Sequence, residues 1–352
     1  MCRVGQASAH PKSEQHTMKD TPVPHPLDPR QLRAIQPGPA QSWGRITVFP
    51  LISADNGGPE YITLSDALAS RQLSVAEVSE AGSVPQLKAI NTGETPVLLL
   101  DGEELVGAKQ NRVLNTSILI PGKSEAVIPV SCTEQGRWES SSAYFAESGV
   151  MMSKNVRAFK SSSVSESLLR RAAFSSDQGE VWRQIQELHR KAGTSSPTSA
   201  MRDAFKAREA DLAKTMEAFA LVDRQHGLLV VVGGRVAGLD WVSRGAAYAK
   251  LHPKLLKSYV FDGLLDGAKE EVAANETAAR AEAFLKEIGL LVGQPFPSVG
   301  LGLDYRFKSK DIAGSALMCD GHLIHMGFFR LDPSESVPPM AGMRTRRRWR
   351  VE

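Results

Sequence analysis

From Gly44 to about residue 140 the chain alternates short apolar, β-branched stretches with turn residues: GRITVFPLI (44–52), YITL, LSVAEV, VPQLKAINTGETPVLLLDGEEL and RVLNTSILIPGKSEAVIPVSC. That is the pattern of half-buried strands, with NTGE (91–94) and PGKS (121–124) as turns. Turn signals about eight to twelve residues apart predict an antiparallel sandwich or barrel, with one short helix near SDALAS (65–70). After residue 177 the period becomes helical. DQGEVWRQIQELHRKAG (177–193) places Val181, Trp182, Ile185 and Leu188 on one stripe and stops at Gly193. SPTSAMRDAFKAREADLAKTMEAFAL repeats the pattern through Met201, Phe205, Leu212, Met216 and Phe219, with Thr198 or Ser199 as the expected cap. HGLLVVVGGRVAGLDWV (226–242) reads as a hairpin turned at Gly233-Gly234. Helices at about 245–266 and 273–289 follow, and strand-like SVGLGLDYRF and GSALMCDGHLIHMGFFRL close the chain. The class is α+β: an antiparallel β-sandwich or barrel-like N-terminal half, then a mixed helical and β C-terminal half.

The same pattern divides the chain. Residues 1–41, rich in Pro, Ser, Gln and His and without an apolar period, read as a disordered tail that holds three of the eight histidines (His10, His16 and His25). Met18 is an alternative start. Residues 42–145 form the β-rich unit. Serines then thicken in ESSSAYF and FKSSSVSESLL, which predicts a long exposed connection over 146–176. Residues 177–332 form a mixed α/β region packing on the first unit, and 333–352 a flexible Arg-rich tail.

Composition narrows the class. At 352 residues, 42% hydrophobic and 23% charged, this is the make-up of a soluble globular protein. The longest apolar run of its kind, LLVVV at 228–232, is far short of the roughly 18 residues that span a bilayer. No apolar segment follows a basic start, so a signal peptide is not expected. Three widely spaced cysteines, Cys2, Cys132 and Cys319, argue against a disulfide framework and for a reducing compartment, the cytoplasm. They also lack the close pairing of a zinc site, so no metal is expected. The net charge of +3 is a property of the tail: without 344–352 the balance is 37 basic against 38 acidic residues. A nucleic-acid surface is therefore not expected outside the tail.

The chemistry-bearing residues crowd into two stretches, DGEELVGAKQNRVLN (101–115) and IPVSCTEQGRW (128–138). Strand alternation from Asn111 puts Arg112 on one face with Leu114, Thr116, Ile118 and Ile120, where a guanidinium needs a carboxylate or phosphate. In the second stretch Ile128, Val130, Cys132 and Glu134 share a face. Two accounts fit. In one, Glu134 pairs with Arg112 or Arg137 beneath the sheet, an architectural role. In the other, Lys109, Arg112 and Arg137 face an anionic ligand, Gln110 and Asn111 orient its hydroxyls, Glu134 joins the floor and Trp138 stacks on a ring. Glu103 and Glu104 point opposite ways on a strand; in a turn after LLLDG they could bind a metal with Asp101, or one could act as a general base, with Glu104 the stronger candidate. Cys132 lies too close to Arg137 for a cysteine-phosphatase loop, and Glu134 would repel a phosphate, so the thiol reads as a small core residue. GGRVAG lacks the Gly-Lys-Ser/Thr ending of a phosphate loop, and GLGLD lacks the third glycine of a dinucleotide fingerprint.

These two stretches, with DQGEVW and SPTSAMRD, resemble an uncharacterised prokaryotic family named for association with ADP-ribosylglycohydrolases and the rhodanese-phosphatase superfamily; the similarity covers about 42–265. The matching motif positions are Asp101, Glu103, Glu104, Lys109, Gln110, Asn111, Arg112, Cys132, Glu134, Arg137 and Trp138. The resemblance implies a place beside NAD and ADP-ribose metabolism. It names no cofactor and does not decide whether the chain is an enzyme. One reading is a pocket for an ADP-ribose-like or other phosphorylated metabolite. The other is a non-enzymatic module that docks ADP-ribose-processing partner enzymes or senses their ligand, with the same residues forming an interface.

Overall fold

The computed structural model describes residues 23–54, 57–79, 85–137, 142–266 and 273–331. The Arg-rich tail and residues 1–22 lie outside that set. The chain opens with β1 (His25–Pro26), α1 (Pro29–Arg33), β2 (Gln36–Pro37), β3 (Gln41–Trp43) and β4 (Ile46–Ile52). Next come β5 (Ile62–Thr63), α2 (Leu64–Ala69), β6 (Leu73–Glu77), β7 (Gln86–Asn91), β8 (Val97–Leu99), β9 (Glu103–Gly107), β10 (Arg112–Leu114), β11 (Ile118–Ile120), β12 (Ser124–Cys132) and β13 (Phe145–Met151). Helices α3 (Lys154–Arg171), α4 (Gln178–Ala192), α5 (Met201–Ala207) and α6 (Glu209–Met216) follow, then the hairpin β14 (Gln225–Val232) and β15 (Arg235–Val242). The chain ends with α7 (Gly245–Leu265), α8 (Ala274–Gly289), β16 (Val292–Pro297), β17 (Leu303–Lys308), β18 (Ile312–Cys319) and β19 (His322–Arg330). The class is α+β, as the periodicity predicts.

The strands form a ten-stranded sheet of order β1-β16-β17-β18-β19-β15-β14-β4-β2, with β3 on β4, and two smaller sheets, β13-β9-β10-β12-β7-β6 and β11-β8-β5. Every pair is antiparallel except β5 with β8. The large sheet mixes the two ends of the chain, because β4 pairs along β14. It is covered on both faces. Val48 and Ile46 face the helical layer, against Tyr259 and Val260 of α7. Phe49 and Leu51 face Phe284 and Ile288 of α8. Alternation along β4 thus feeds two cores. The smaller sheets enclose a third core, built on Leu105, Leu114, Ile118 and Ile128. Among the described residues no helix is long and apolar enough to cross a membrane.

Several local expectations hold. Gly193 ends α4 at φ +64°, as expected, and the structure adds a cap at its start, where Asp177 Oδ1 accepts from Glu180 N at 3.1 Å. The hairpin turns at Gly233-Gly234, both at positive φ. Three differ. Residues 111–120 are two strands in two sheets: the chain breaks at Asn115–Ser117, so Arg112 and Ile118 do not share one strand face. Thr198 does not cap α5, because its hydroxyl donates to Glu134 Oε1 at 2.8 Å and the helix begins three residues later at Met201. Residues 23–41, read as tail from their composition, carry β1, α1 and β2 and bury Leu27 and Ile35 in the core beneath α8.

The largest difference is the serine-rich stretch, which is a buried helix and not an exposed connection. Ser161, Ser162, Ser163, Ser165 and Ser167 of α3 are all buried. Serine's small volume lets the helix lie close between sheets, and Ser165 Oγ donates back to Ser161 O at 2.8 Å. Val156, Phe159, Val164 and Leu168 pack one side of α3 into the core, and charge fixes the rest. Arg157 donates to both Asp240 oxygens at 2.9 and 2.6 Å, and Lys160 Nζ pairs with Asp101 and donates to Leu114 O at 2.8 Å. Tyr259 Oη also donates to Asp240, at 2.8 Å. Burial pushes the Asp240 carboxyl up, but Arg157 and His325 overcome it and hold it at about 2. Replacing Arg157 by Ala leaves Asp240 charged and enclosed, so the variant is expected to lose about 3–5 kcal/mol in urea unfolding. A loss below about 1 kcal/mol would show that the pair does not hold α3 in place.

Candidate functional site

The DGEEL segment is a tight turn feeding a strand. Gly102, at φ +90°, makes the turn and lets Arg157 pass: a Cβ there would lie 2.8 Å from Arg157 Nε. Asp101 N donates to Ser117 Oγ at 2.9 Å while its carboxylate holds Lys160. On β9 the two glutamates part. Glu103 pairs with Lys254 of α7, which also takes Glu147, and Glu103 Oε2 accepts from Leu100 N at 2.6 Å. The two carboxylates hold Lys254 above its ordinary value against the effect of burial. Glu104 turns the other way and accepts from Thr133 Oγ1 at 2.7 Å.

The Lys-Gln-Asn-Arg run and the Glu-Gln-Gly-Arg run form one knot. Arg112 is fully enclosed; its Nη1 donates to Gln110 Oε1 at 3.0 Å, and Nη2 stands 3.8 Å from Glu77. Glu134 is held by Arg137 (Nε 3.0 Å, Nη2 2.8 Å), by Thr198 and by Asn111 N at 3.2 Å. These partners outweigh burial and hold its carboxyl below the usual range. Arg137 spends its other donors on Ala108 O at 2.6 Å and on Asn111 Oδ1 at 3.2 Å. Lys109 sits in the turn before this knot, half-buried. Trp138 lies outside the described residues. Cys132 is buried, its backbone clamped by Gln178 of α4 (2.7 and 3.0 Å), and burial pushes the thiol up, so it is a core residue.

The knot also docks the SPTSAMRD segment. Gln135 N and Gly136 N donate to Thr198 O at 3.0 and 2.9 Å, and Met201 N donates to Thr133 O at 2.9 Å. Gly136 is required there, since a Cβ would lie 2.9 Å from Thr198 Cα. The effect is to fix the start of α5, and with it Arg202.

Arg202 opens onto a cavity of about 620 Å³ between β13, α5, α6 and α7. Its wall is Ser148, Gly149 and Val150 of β13, Phe205 and Lys206 of α5, Glu209, Leu212 and Met216 of α6, and Lys257 of α7. Two irregularities make the space. The β13–β9 register shifts between Glu147 and Met151, with Gly149 at φ +71° and open space in front of it. The helical pattern expected from Met201 through Phe219 breaks at Arg208, whose guanidinium donates to Ala192 O, the last turn of α4, at 3.1 and 2.8 Å. Arg202, Lys206 and Lys257 make no ion pair with any described residue.

Glu104 lies behind this wall. Ser148 and Arg202, both lining residues, are among the groups that act on its charge. It is fully enclosed, and its Oε2 has no hydrogen-bond partner. Burial dominates and pushes the carboxyl up to about 7; Thr133, Ser148 and Arg202 pull it down, and Glu134 adds to the rise. Among the described residues, none of the candidate site residues singled out from the sequence lines the cavity, Glu104 included; the sequence-predicted stripe residues Phe205, Leu212 and Met216 do, and the cations of the lining lie outside the DGEEL, KQNR and EQGRW runs.

A family model for the ARG and Rhodanese-Phosphatase-superfamily-associated Protein domain, ARPP-1, matches residues 34–329. The chain belongs to this family. The match reaches further at both ends than the 42–265 read from motifs, and it takes in β16, β17, β18 and all but the last residue of β19 in the large sheet, leaving out β1. Neither the search of curated proteins nor that of solved structures returned a match. In this ARPP-1 chain the EQGR segment fixes the start of α5, one wall of a cavity whose other walls come from β13, α6 and α7.

Glu104 gives a direct test of that geometry. Its folded value, about 7, lies above the unfolded 4.5, so its neutral form favours folding and this stability is lost as pH rises from 4.5 through 7. Glu104→Gln is expected to match wild type near pH 4.5 and to exceed it by about 2–3 kcal/mol above pH 7, read from urea midpoints. A stability difference that does not change with pH would exclude the raised value.

Proposed function

We propose that the chain binds a phosphorylated or ADP-ribose-like small molecule in the cavity between β13, α5, α6 and α7. The observation that carries this reading is the cavity itself. At about 620 Å³ it falls within the size range of small-molecule sites, and it joins an apolar wall to three cations that pair with no described residue. Phe205, Leu212 and Met216 supply the apolar side; Arg202, Lys206 and Lys257 supply charge for a phosphate. Glu209 and Glu217 on the same lining temper that charge, which fits a ligand with hydroxyls beside its phosphates better than a bare polyanion.

The family is named for association with ARG and rhodanese-phosphatase proteins. ADP-ribose chemistry beside such enzymes is consistent with a diphosphate joined to sugars and an adenine. The alternative, a module docking partner enzymes through the KQNR and EQGR runs, needs those side chains at the surface. Gln110, Asn111, Arg112 and Glu134 are buried instead.

Calorimetric titration of the full chain with ADP-ribose, NAD and inorganic phosphate tests the reading. At least one of the three is expected to give a saturable isotherm, with affinity falling about tenfold in Lys257→Ala, the equivalent of about 1.4 kcal/mol. Absence of binding for all three ligands would sink it.

A further inference from the structure

The carboxylates of the motif segments are not treated alike. Asp101, Glu103 and Glu134 each have a cation in direct contact. Glu104 has the hydroxyl of Thr133 on one oxygen and no hydrogen-bond partner on the other, although it is fully enclosed. The groups facing it come from every element packed on that side: Thr133 at the end of β12, Ser148 on β13, Arg202 on α5 and the charged Glu134 beyond β12, with Val113 of β10 opposite it across the strand pair. Arg202 is the cation acting on it, and Arg202 is also a wall of the cavity.

We propose that anion binding in this cavity is coupled to uptake of one proton from solvent by Glu104, so that the site is a proton-linked anion receptor. This rests on the ligand reading above and adds its regulation. An anion seated against Arg202 offsets the positive charge that favours ionised Glu104. It also brings a second negative charge toward the same enclosed carboxyl, alongside Glu134. Both effects favour the neutral carboxylic acid. A neutral Glu104 then has an O–H that the orphaned oxygen lacks, available to donate toward the Ser148 side. Burial already poises the group to titrate near neutrality, so a modest shift changes its charge. No histidine lines the cavity to take the proton instead.

The measurement is calorimetry of the full chain with ADP-ribose near pH 7 in buffers of different ionisation enthalpy, repeated at higher pH. ADP-ribose has no group titrating in this range, so proton uptake reports the protein. The expected result is uptake of a substantial fraction of one proton per ligand, with affinity falling by up to about tenfold per pH unit above 7. Glu104→Gln is expected to keep binding, lose the uptake and flatten the pH dependence. Binding with a buffer-independent enthalpy and flat affinity would overturn the coupling and leave the ligand site standing; absence of binding would remove both. Where the Gln variant does not fold, carbon-13 titration of the Glu104 carboxyl in wild type decides. Its midpoint should rise on adding ADP-ribose, and an unchanged midpoint overturns the proposal.

Discussion

The fold hangs on two buried cations of α3 and the carboxylates that neutralise them from opposite sides. Arg157 ties the helix to Asp240 in the large sheet, and Lys160 ties it to Asp101 at the start of β9. The circuit closes through side chains. Asp101 N donates to Ser117 Oγ, Ser117 meets His325 Nδ1 at 2.9 Å, and His325 Nε2 lies 3.4 Å from Asp240. Val156, Phe159, Val164 and Leu168 bury one side of the helix, but its serine-lined positions carry no apolar group to fix the register. Ion pairs in a medium of low dielectric supply the specificity, because sliding α3 by one turn would bury both cations unpaired. The serines contribute by being small enough to let the layers approach.

That arrangement decides what the acidic and basic motif segments can be. Most of their charge is spent inward: Glu103 on Lys254, Glu134 on Arg137, and Arg112 in a fully enclosed position beside Gln110. Glu103 and Glu134, paired in this way, are held in place, and fixed side chains are what a site needs from its frame. The cavity forms where the regular elements fail, at the β13 bulge and at the α5–α6 break, and both failures are anchored by that frame. Thr198 shows the trade locally. It gives up capping α5 in order to hold Glu134.

Much of the fold is legible in the sequence because periodicity is local. The α4 stripe with its Gly193 end, the Gly233-Gly234 hairpin and the last two helices all follow from spacing and caps. The pairing of β4 with β14 does not, because it joins residues far apart in sequence and no local pattern encodes which strands meet. The helix α3 was hidden for a different reason. Serine is usually read as exposed, and only the partners of Arg157 and Lys160, supplied by other elements, make its burial affordable. The site was half visible. An unusual density of charged and amide side chains marked the frame, whereas Arg202, Lys206 and Lys257 come from helices whose polar positions look like any solvated face.

Glu104 is where these threads meet. A protein that places a cation against Asp101, Glu103, Glu134 and Asp240 could have done the same for the neighbouring carboxyl on β9. An enclosed carboxyl without such a cation costs stability whenever it is ionised, and replacing it by an apolar residue would remove that cost. Architecture alone therefore gives no reason to retain a glutamate behind the cavity wall. Its position behind Ser148 and Arg202, the two lining residues that act on its charge, gives one: there the carboxyl's charge responds to what occupies the cavity.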